Sequence, residues 1–449
     1  MKYTPIRFAA LAASAAASAL CGINAQAQSS DALLDKLVDK GILSTKEAEE
    51  LRQETDKDFT RAYSAKSGMP DWVTALKING DFRARVDHFQ SENENFIDRI
   101  RYRYRLRLGM VATIKDNLEV GLRLTSSDPS GSFGGDPISG NSTLQDNGSK
   151  KFVYIDLAYG KWSFLNTKAL SGSVTLGKME NPFTVSDSVF DNDYTPEGMG
   201  YNFTYRPNDV HTFKLNAGIF LLDELSTDSE DPYMYGAQAR WDAAWSKKVA
   251  TSFGVAALNI VNEHSLTNGA VPAVNRGNTR NPGTGVLANN FNPIVVDGAF
   301  TYTFDEAPLY KAPFPIKLAG EYMNNVAVND RHQGWQAGIT LGKAGKKGLW
   351  EISYRYKYSE ADVWYEEFAD SDFGAYYAGT LPNSGSGAGY GAGTNLRGHV
   401  AKISYSPFDA LTLSAAYFRA SVLHQAPTAT GVDRNSDMGR LIVDAMWKF

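Results

Sequence analysis

The segment Ile100–Met110, IRYRYRLRLGM, decides the fold. Ile100, Tyr102, Tyr104, Leu106, Leu108 and Met110 alternate with Arg101, Arg103, Arg105 and Arg107. A helical period of 3.6 would mix these two sets, whereas a period of two separates them cleanly onto opposite faces of a strand. Such a strand has one face in water and the other against something apolar. Upstream, Leu76, Ile78, Phe82, Ala84 and Val86 alternate in the same way with Lys77, Asn79, Asp81, Arg83, Arg85 and Asp87.

The alternation continues to the last residue and predicts sixteen strands. After the two above come Leu118–Ser126, Lys151–Trp162, Ser173–Lys178, Gly198–Tyr205, His211–Leu222, Tyr233–Trp245 and Val249–Asn259. The remaining seven are Ile294–Phe304, Ile316–Asn324, Gly334–Gly342, Gly348–Glu360, Asn395–Tyr405, Leu411–Arg419 and Arg434–Phe449. All 17 prolines lie outside these interiors, as continuous pairing on both sides requires.

Connections alternate between long and short. Gln90–Asp98 precedes the tight Lys115-Asp116-Asn117, and Met179–Glu197 precedes Pro207-Asn208-Asp209. Ala361–Thr394 precedes Ser406–Ala410, and Asp305–Pro315 is the one short connection longer than the pattern favours. Long loops on one rim and short turns on the other mark a transmembrane barrel. A soluble two-sheet sandwich also alternates. Three features favour the membrane: the consistency of the apolar face, closure that leaves no unpaired sheet edge, and aromatics near strand ends. Those aromatics are Trp241, Trp245, Trp350, Tyr356, Tyr358, Tyr417 and Trp447. The expected fold is therefore all-β, a 16-stranded antiparallel transmembrane barrel over 73–449.

The first residues read as an address. Lys2 and Arg7 precede the apolar Phe8–Leu20, and Ala25-Gln26-Ala27 offers a small-x-small cleavage pattern, so 1–27 is expected to be a secretory signal peptide. Its removal takes away Lys2, Arg7 and the single cysteine, Cys21, moving the net charge from −5 to −7. The mature chain then has no disulfide and no cysteine-based metal site. Residues 28–72 are expected to form a short periplasmic helical segment. Leu33, Leu34, Leu37 and Val38 recur at helical spacing, and Ser44-Thr45-Lys46-Glu47 forms a capping box.

With 45 basic and 50 acidic residues the chain gives no case for nucleic-acid binding. After the leader no apolar run of 18 residues occurs, which excludes a helical membrane protein. Scattered histidines (His88, His211, His264, His332, His399, His424) and no nucleophile–base pair leave an enzyme barrel a distant alternative, with no catalytic residue, metal or cofactor expected. Glu366-Glu367 reads as solvated, or as a site for lipopolysaccharide-bridging cations. Leu441, Val443, Ala445, Trp447 and Phe449 form the apolar phase of the last strand. A strand ending in Phe449 resembles the signal read by the barrel assembly machinery.

Across nearly its whole mature length the chain resembles the Putative porin family of Gram-negative bacteria. The matching segments are Ala32–Leu51, Asn79–Arg85 (NGDFRAR), Arg101–Gly109 (RYRYRLRLG), Gly177–Phe183 (GKMENPF) and Phe449. The resemblance implies a homotrimeric diffusion channel in the outer membrane, among lipid and lipopolysaccharide, that passes small hydrophilic solutes or ions.

Sixteen strands enclose a bore too wide for wall side chains to fill, so water and lumen-facing residues decide what passes. By phase, Arg83, Arg85, Arg101, Arg103, Arg105, Arg107 and Arg123 share the polar face and form a basic ladder, some of them pairing with Asp81 and Asp87. The third long connection carries Glu180, Asp187, Asp191, Asp193 and Glu197 and no basic residue. General porins fold this loop into the bore, and the resemblance extends that constriction to this chain. An acidic loop opposite a basic wall would set up a transverse field. Two functions stay open: a general diffusion porin, and an anion- or acid-selective channel using the ladder as a relay.

Overall fold

The structure is a computed structural model. It describes residues 70–130, 134–226, 229–266, 277–281, 284–379, 388–425 and 430–449. The expected signal peptide and nearly all of the expected helical segment lie outside the described residues. The chain divides into Met1–Ala75 and Leu76–Phe449. The second unit is the barrel.

Sixteen long strands build it. In chain order these are β1 (Val73–Ser91), β2 (Arg99–Ile114), β3 (Leu118–Ser127), β4 (Phe152–Asn166), β5 (Leu170–Lys178), β6 (Glu197–Tyr205), β7 (His211–Leu221) and β8 (Tyr233–Ala244). Then follow β9 (Val249–Val261), β10 (Pro293–Phe304), β11 (Phe314–Asn325), β12 (Gln333–Gly342), β13 (Trp350–Ser359), β14 (Leu396–Phe408), β15 (Leu411–Val422) and β16 (Met438–Lys448). Each overlaps one expected strand. Consecutive strands pair, and β1 closes the sheet on β16 in antiparallel register from Asp81↔Lys448 to Ser91↔Met438. Phe449 extends the seam, exchanging backbone hydrogen bonds with Gly80.

The sequence chemistry explains the local geometry. Asp116 and Asn117 take left-handed φ angles of 63° and 61°, the conformation a tight hairpin turn needs between twisted strands. Pro293 and Pro315 stand within the first two residues of their strands, and Pro407 sits at a bulge between Tyr405 and Phe408. A second bulge, at Arg123/Leu124 of β3, leaves Asp156 of β4 unopposed. That extra residue turns Asp156 toward Arg123.

The two faces are inverted relative to a soluble protein. Leu106 and Leu108 are 45 % and 46 % exposed, whereas the Arg105 side chain is 3 % exposed. Ring pairs belt the outer surface near both rims: Trp241–Trp245 at 5.8 Å and Phe82–Trp447 at 5.7 Å near the short turns, Trp335–Tyr356 at 5.3 Å near the long loops. Among the described residues no helix is long and apolar enough to cross a membrane.

Candidate functional site: the lumen and its inward loops

The residues between β5 and β6, 179–196, leave the wall and fill the bore. At their base Gly177 takes φ +113°, and a Cβ there would stand 2.3 Å from the Ala158 carbonyl oxygen. Facing it in register, Gly198 would place a Cβ 2.2 Å from the Ile219 carbonyl. No side chain fits either position, so the glycine pair lets the chain leave the sheet. Beyond it Met179, Phe183, Val189 and Phe190 are buried against inward-pointing Phe220, Met234, Leu258, Ile260, Val295 and Met323 of β7–β11. A wholly polar inner face, as the alternation led one to expect, is thus replaced there by apolar packing.

A second inward element accompanies the first, which the sequence reading missed. Residues 360–379, after β13, carry Val363, Trp364, Tyr365 and Phe368 into the same cluster. Farther along, Gly374–Tyr377 and Gly389–Ala392 pair as a short hairpin against β14–β16. The two loops are stitched together. The Trp364 indole N–H donates to the Val189 carbonyl at 2.9 Å, the Asp370 amide to the Asp187 carbonyl at 2.9 Å, and the Ser371 amide to the Asp191 carboxylate at 2.9 Å. Glu366 and Glu367, expected in solvent, are 1 % and 6 % exposed, and Glu366 pairs with buried Arg280 at 2.6 Å. The aromatic density of Trp364, Tyr365, Phe368 and Phe373 was the available signal, since rings at such spacing rarely stay in water.

All seven expected arginines lie on the inward phase of β1–β3, and each reaches a carboxylate. Arg85 meets Asp444 at 2.8 Å and Asp372 at 3.1 Å, and Arg101 meets Asp87 at 2.7 Å. Arg103 lies 3.7 Å from Asp128, and Arg83 lies 4.0 Å from Asp193. Arg105 bridges Asp81 at 2.9 Å and Asp193 at 2.7 Å, and Arg107 reaches the same two at 2.7 and 3.4 Å. Arg123 pairs with Asp156 and Glu180. An eighth guanidinium, Arg440 of β16, holds Asp87 at 2.7 Å and Asp372 at 3.1 Å. Eight cations therefore face eight carboxylates: Asp81, Asp87, Asp128, Asp156, Glu180, Asp193, Asp372 and Asp444. The wall is a charge-balanced lattice rather than a bare ladder.

The acidic loop residues divide by partner. Asp193 sits on the arginine wall, while Asp187 reaches across to Arg355 and to Lys357 at 3.1 Å on β13. The loop thus spans the bore with one carboxylate on each side. Burial works to raise Asp187, but Lys357 and Arg355 outweigh it and hold the acid at about 2. For Asp193 burial is likewise outweighed, by Arg105, Arg83 and Arg107, and its pKa falls. Asp191 goes the other way, well above the usual range, because it is buried beside Asp370 and Asp193. Glu197 is exposed and pairs with Lys178 at 3.0 Å.

Space remains on both sides of the first loop. A cavity of about 620 Å³ is bounded by Tyr194–Glu197, and one of about 380 Å³ by Thr184–Ser186. A small pocket of about 20 Å³, room for a single water, adjoins the larger cavity between Arg105, Arg107, Asp193, Asp136 and Asp156. Among the described residues no three His, Cys, Asp or Glu converge as metal ligands.

A family described as Putative porin matches residues 92–280 and 286–429. The structure of OprB from Pseudomonas putida is 10 % identical with a TM-score of 0.51, covering 83 % of this chain and 94 % of that one. OmpT of Vibrio cholerae (10 %, 0.42) covers 86 % of this chain and 100 % of its own. A triple mutant of the Rhodopseudomonas blastica porin (11 %, 0.40) covers 83 % of this chain and 100 % of its own. At these identities the OprB likeness shows the fold alone. No curated protein matches the sequence.

Proposed function

The chain belongs to the Putative porin family, and from that premise we propose that it is an outer-membrane channel for passive diffusion of small hydrophilic solutes and ions. One observation carries the reading: a closed barrel, apolar outside, whose inner cavities are lined by charge and narrowed by a loop that spans the bore. Family membership speaks for a channel rather than an enzyme. The Gram-negative outer membrane, with its lipid and lipopolysaccharide, is the setting, and a homotrimer is the assembly. Phe449, at the barrel seam, serves the assembly machinery and stands apart from the bore.

The eight-to-eight balance of the wall favours general diffusion over a relay for anions. The arginines still shape the field beside Asp193, where the dielectric is well below that of water. In planar bilayers the purified protein should give discrete conductance steps, and changing Arg83, Arg103 and Arg105 to Ala should move the reversal potential in a salt gradient toward cations. Absence of steps from folded protein overturns the channel. An unchanged reversal potential places the lattice outside the ion path.

A further inference from the structure

We propose that the larger cavity is a binding vestibule for small organic cations, a reading that rests on the channel proposed above. Its volume, about 620 Å³, lies within the range of small-ligand sites. Asp136, Asp156, Glu197, Asp223, Glu224 and Glu367 line it; Lys178, the one basic lining side chain, pairs with Glu197 at 3.0 Å and Arg123 pairs with Asp156, so six acids stand against two cations. The smaller cavity across the loop has the opposite bias, with Arg240, Lys317, Arg355 and Lys402 against Asp297 and Glu321. Charge is therefore sorted along the bore as well as across it.

The remaining lining says which kind of cation fits. Tyr194, Tyr365 and Phe368 form one aromatic wall, with ring centroids 4.9 Å apart for Tyr194–Phe368 and 5.2 Å for Tyr365–Phe368. Aromatic faces beside carboxylates attract ammonium groups through the ring quadrupole. Tyr365 is 2 % exposed, and its hydroxyl has no hydrogen-bond partner among the described residues. A turn of the ring toward the cavity would offer that hydroxyl to an N–H donor docked against the wall. The carboxylates are spread around the cavity and no three converge on one point. That arrangement suits an extended ligand with separated positive groups and does not suit a chelated metal ion.

The cavity shares Thr125, Asp136, Pro137 and Asp156 with the small pocket at Arg105 and Arg107. An occupant therefore rests directly beside the Arg105–Asp193 contact, where loop and wall meet, and interrupts current.

The test uses the full-length protein in planar bilayers at low salt, where exposed charges are weakly screened. 1,4-Diaminobutane should produce interruptions whose frequency rises with concentration, from one side more than the other. 1,4-Butanediol and succinate at the same concentrations should not. The double variant Glu197→Gln, Glu224→Gln, checked for heat-modifiable folding, should weaken the block at least about fivefold, the least expected from losing one nearby charge. Lys402→Gln, in the opposite cavity, should leave the block unchanged. Absence of conductance steps in KCl alone would sink the channel reading itself. Normal steps with no diamine block, block of equal strength by magnesium, or block untouched in the Glu197/Glu224 variant would overturn the vestibule while leaving the channel standing.

Discussion

Two stretches of the inner wall face the same loop with opposite chemistry. Along β1–β3 and β16 eight inward guanidinium groups meet eight carboxylates, three from these strands and five from β4 and the loops. Along β7–β11 they are Phe220, Met234, Leu258, Ile260, Val295 and Met323, packed against Phe183, Val189 and Phe190 of the loop. On the outside the two stretches are alike, both apolar. Lipid imposes one chemistry on every outward position, whereas each inward position answers to whatever folds against it. The apolar side buries the loop's hydrophobic residues, and the charged side holds the loop through Asp193. Hydrophobic burial should therefore anchor the loop, and ion pairs should set its position and field.

The sharpest way to break that division of labour is to remove the anchor. Trp364 is fully buried, touches Phe190 at 6.0 Å, Phe291 at 6.4 Å and Phe368 at 5.7 Å, and bonds the Val189 carbonyl. Trp364→Ala should cost about 3–5 kcal/mol of local stability. Single channels should show a larger and noisier conductance while the barrel itself stays heat-modifiable. Unchanged conductance would mean that the ion pairs alone hold the loop.

A smaller effect is expected on the charged side. Asp193→Asn keeps the shape but removes the charge that Arg105 and Arg107 share. Loss of charge-assisted hydrogen bonds of this kind costs about 1.5–3 kcal/mol when buried, less here because Asp193 retains 22 % exposure. The unbalanced guanidinium groups should shift the reversal potential toward anions, with conductance changed less than in Trp364→Ala. If the order of the two effects on conductance were reversed, the comparison would fail.

The same contrast explains what was legible in the sequence. Alternation is local, and the lipid that enforces it is uniform, so Ile100–Met110 announces its strand without help from any distant residue. The inward packing is not local. Trp364 meets a carbonyl 175 residues away, and one of the two carboxylates that hold Arg105 comes from 88 residues downstream. The arginine phase could be read, but its neutralisation by Asp372 and Asp444 could not, because closure of β1 on β16 and the return of the second loop bring them there. Gly177 was a local signal for the departure of the loop, since only its backbone conformation needed to be inferred. Nothing comparable marks 360–395 except its aromatic density.

The smallest effect sharpens the boundary between the two loops, where charge sits within the otherwise apolar packing. Asp191 accepts the Ser371 amide at 2.9 Å and the Asp193 amide at 2.8 Å, and its pKa is raised by burial and then by Asp370 and Asp193. A raised folded value means that protonation favours the folded latch. Its contribution is most favourable below the unfolded carboxylate pKa of about 4 and declines as pH rises from there through the folded value. Asp187 carries the opposite sign. Held at about 2, it stabilises the latch above the unfolded value, and that contribution is lost only as pH falls toward 2. Asp191→Asn removes the charge and, like the protonated acid, offers one carbonyl acceptor and one donor in place of the two oxygens that separately accept the Asp193 and Ser371 amides. The variant should melt about 2 °C above the parent at pH 8, with the difference shrinking to nothing near pH 4, as followed by heat-modifiable mobility across that range. A lower melting point at every pH would show that the Asp191 anion itself holds the loops together, and the anchoring would then be electrostatic on both sides.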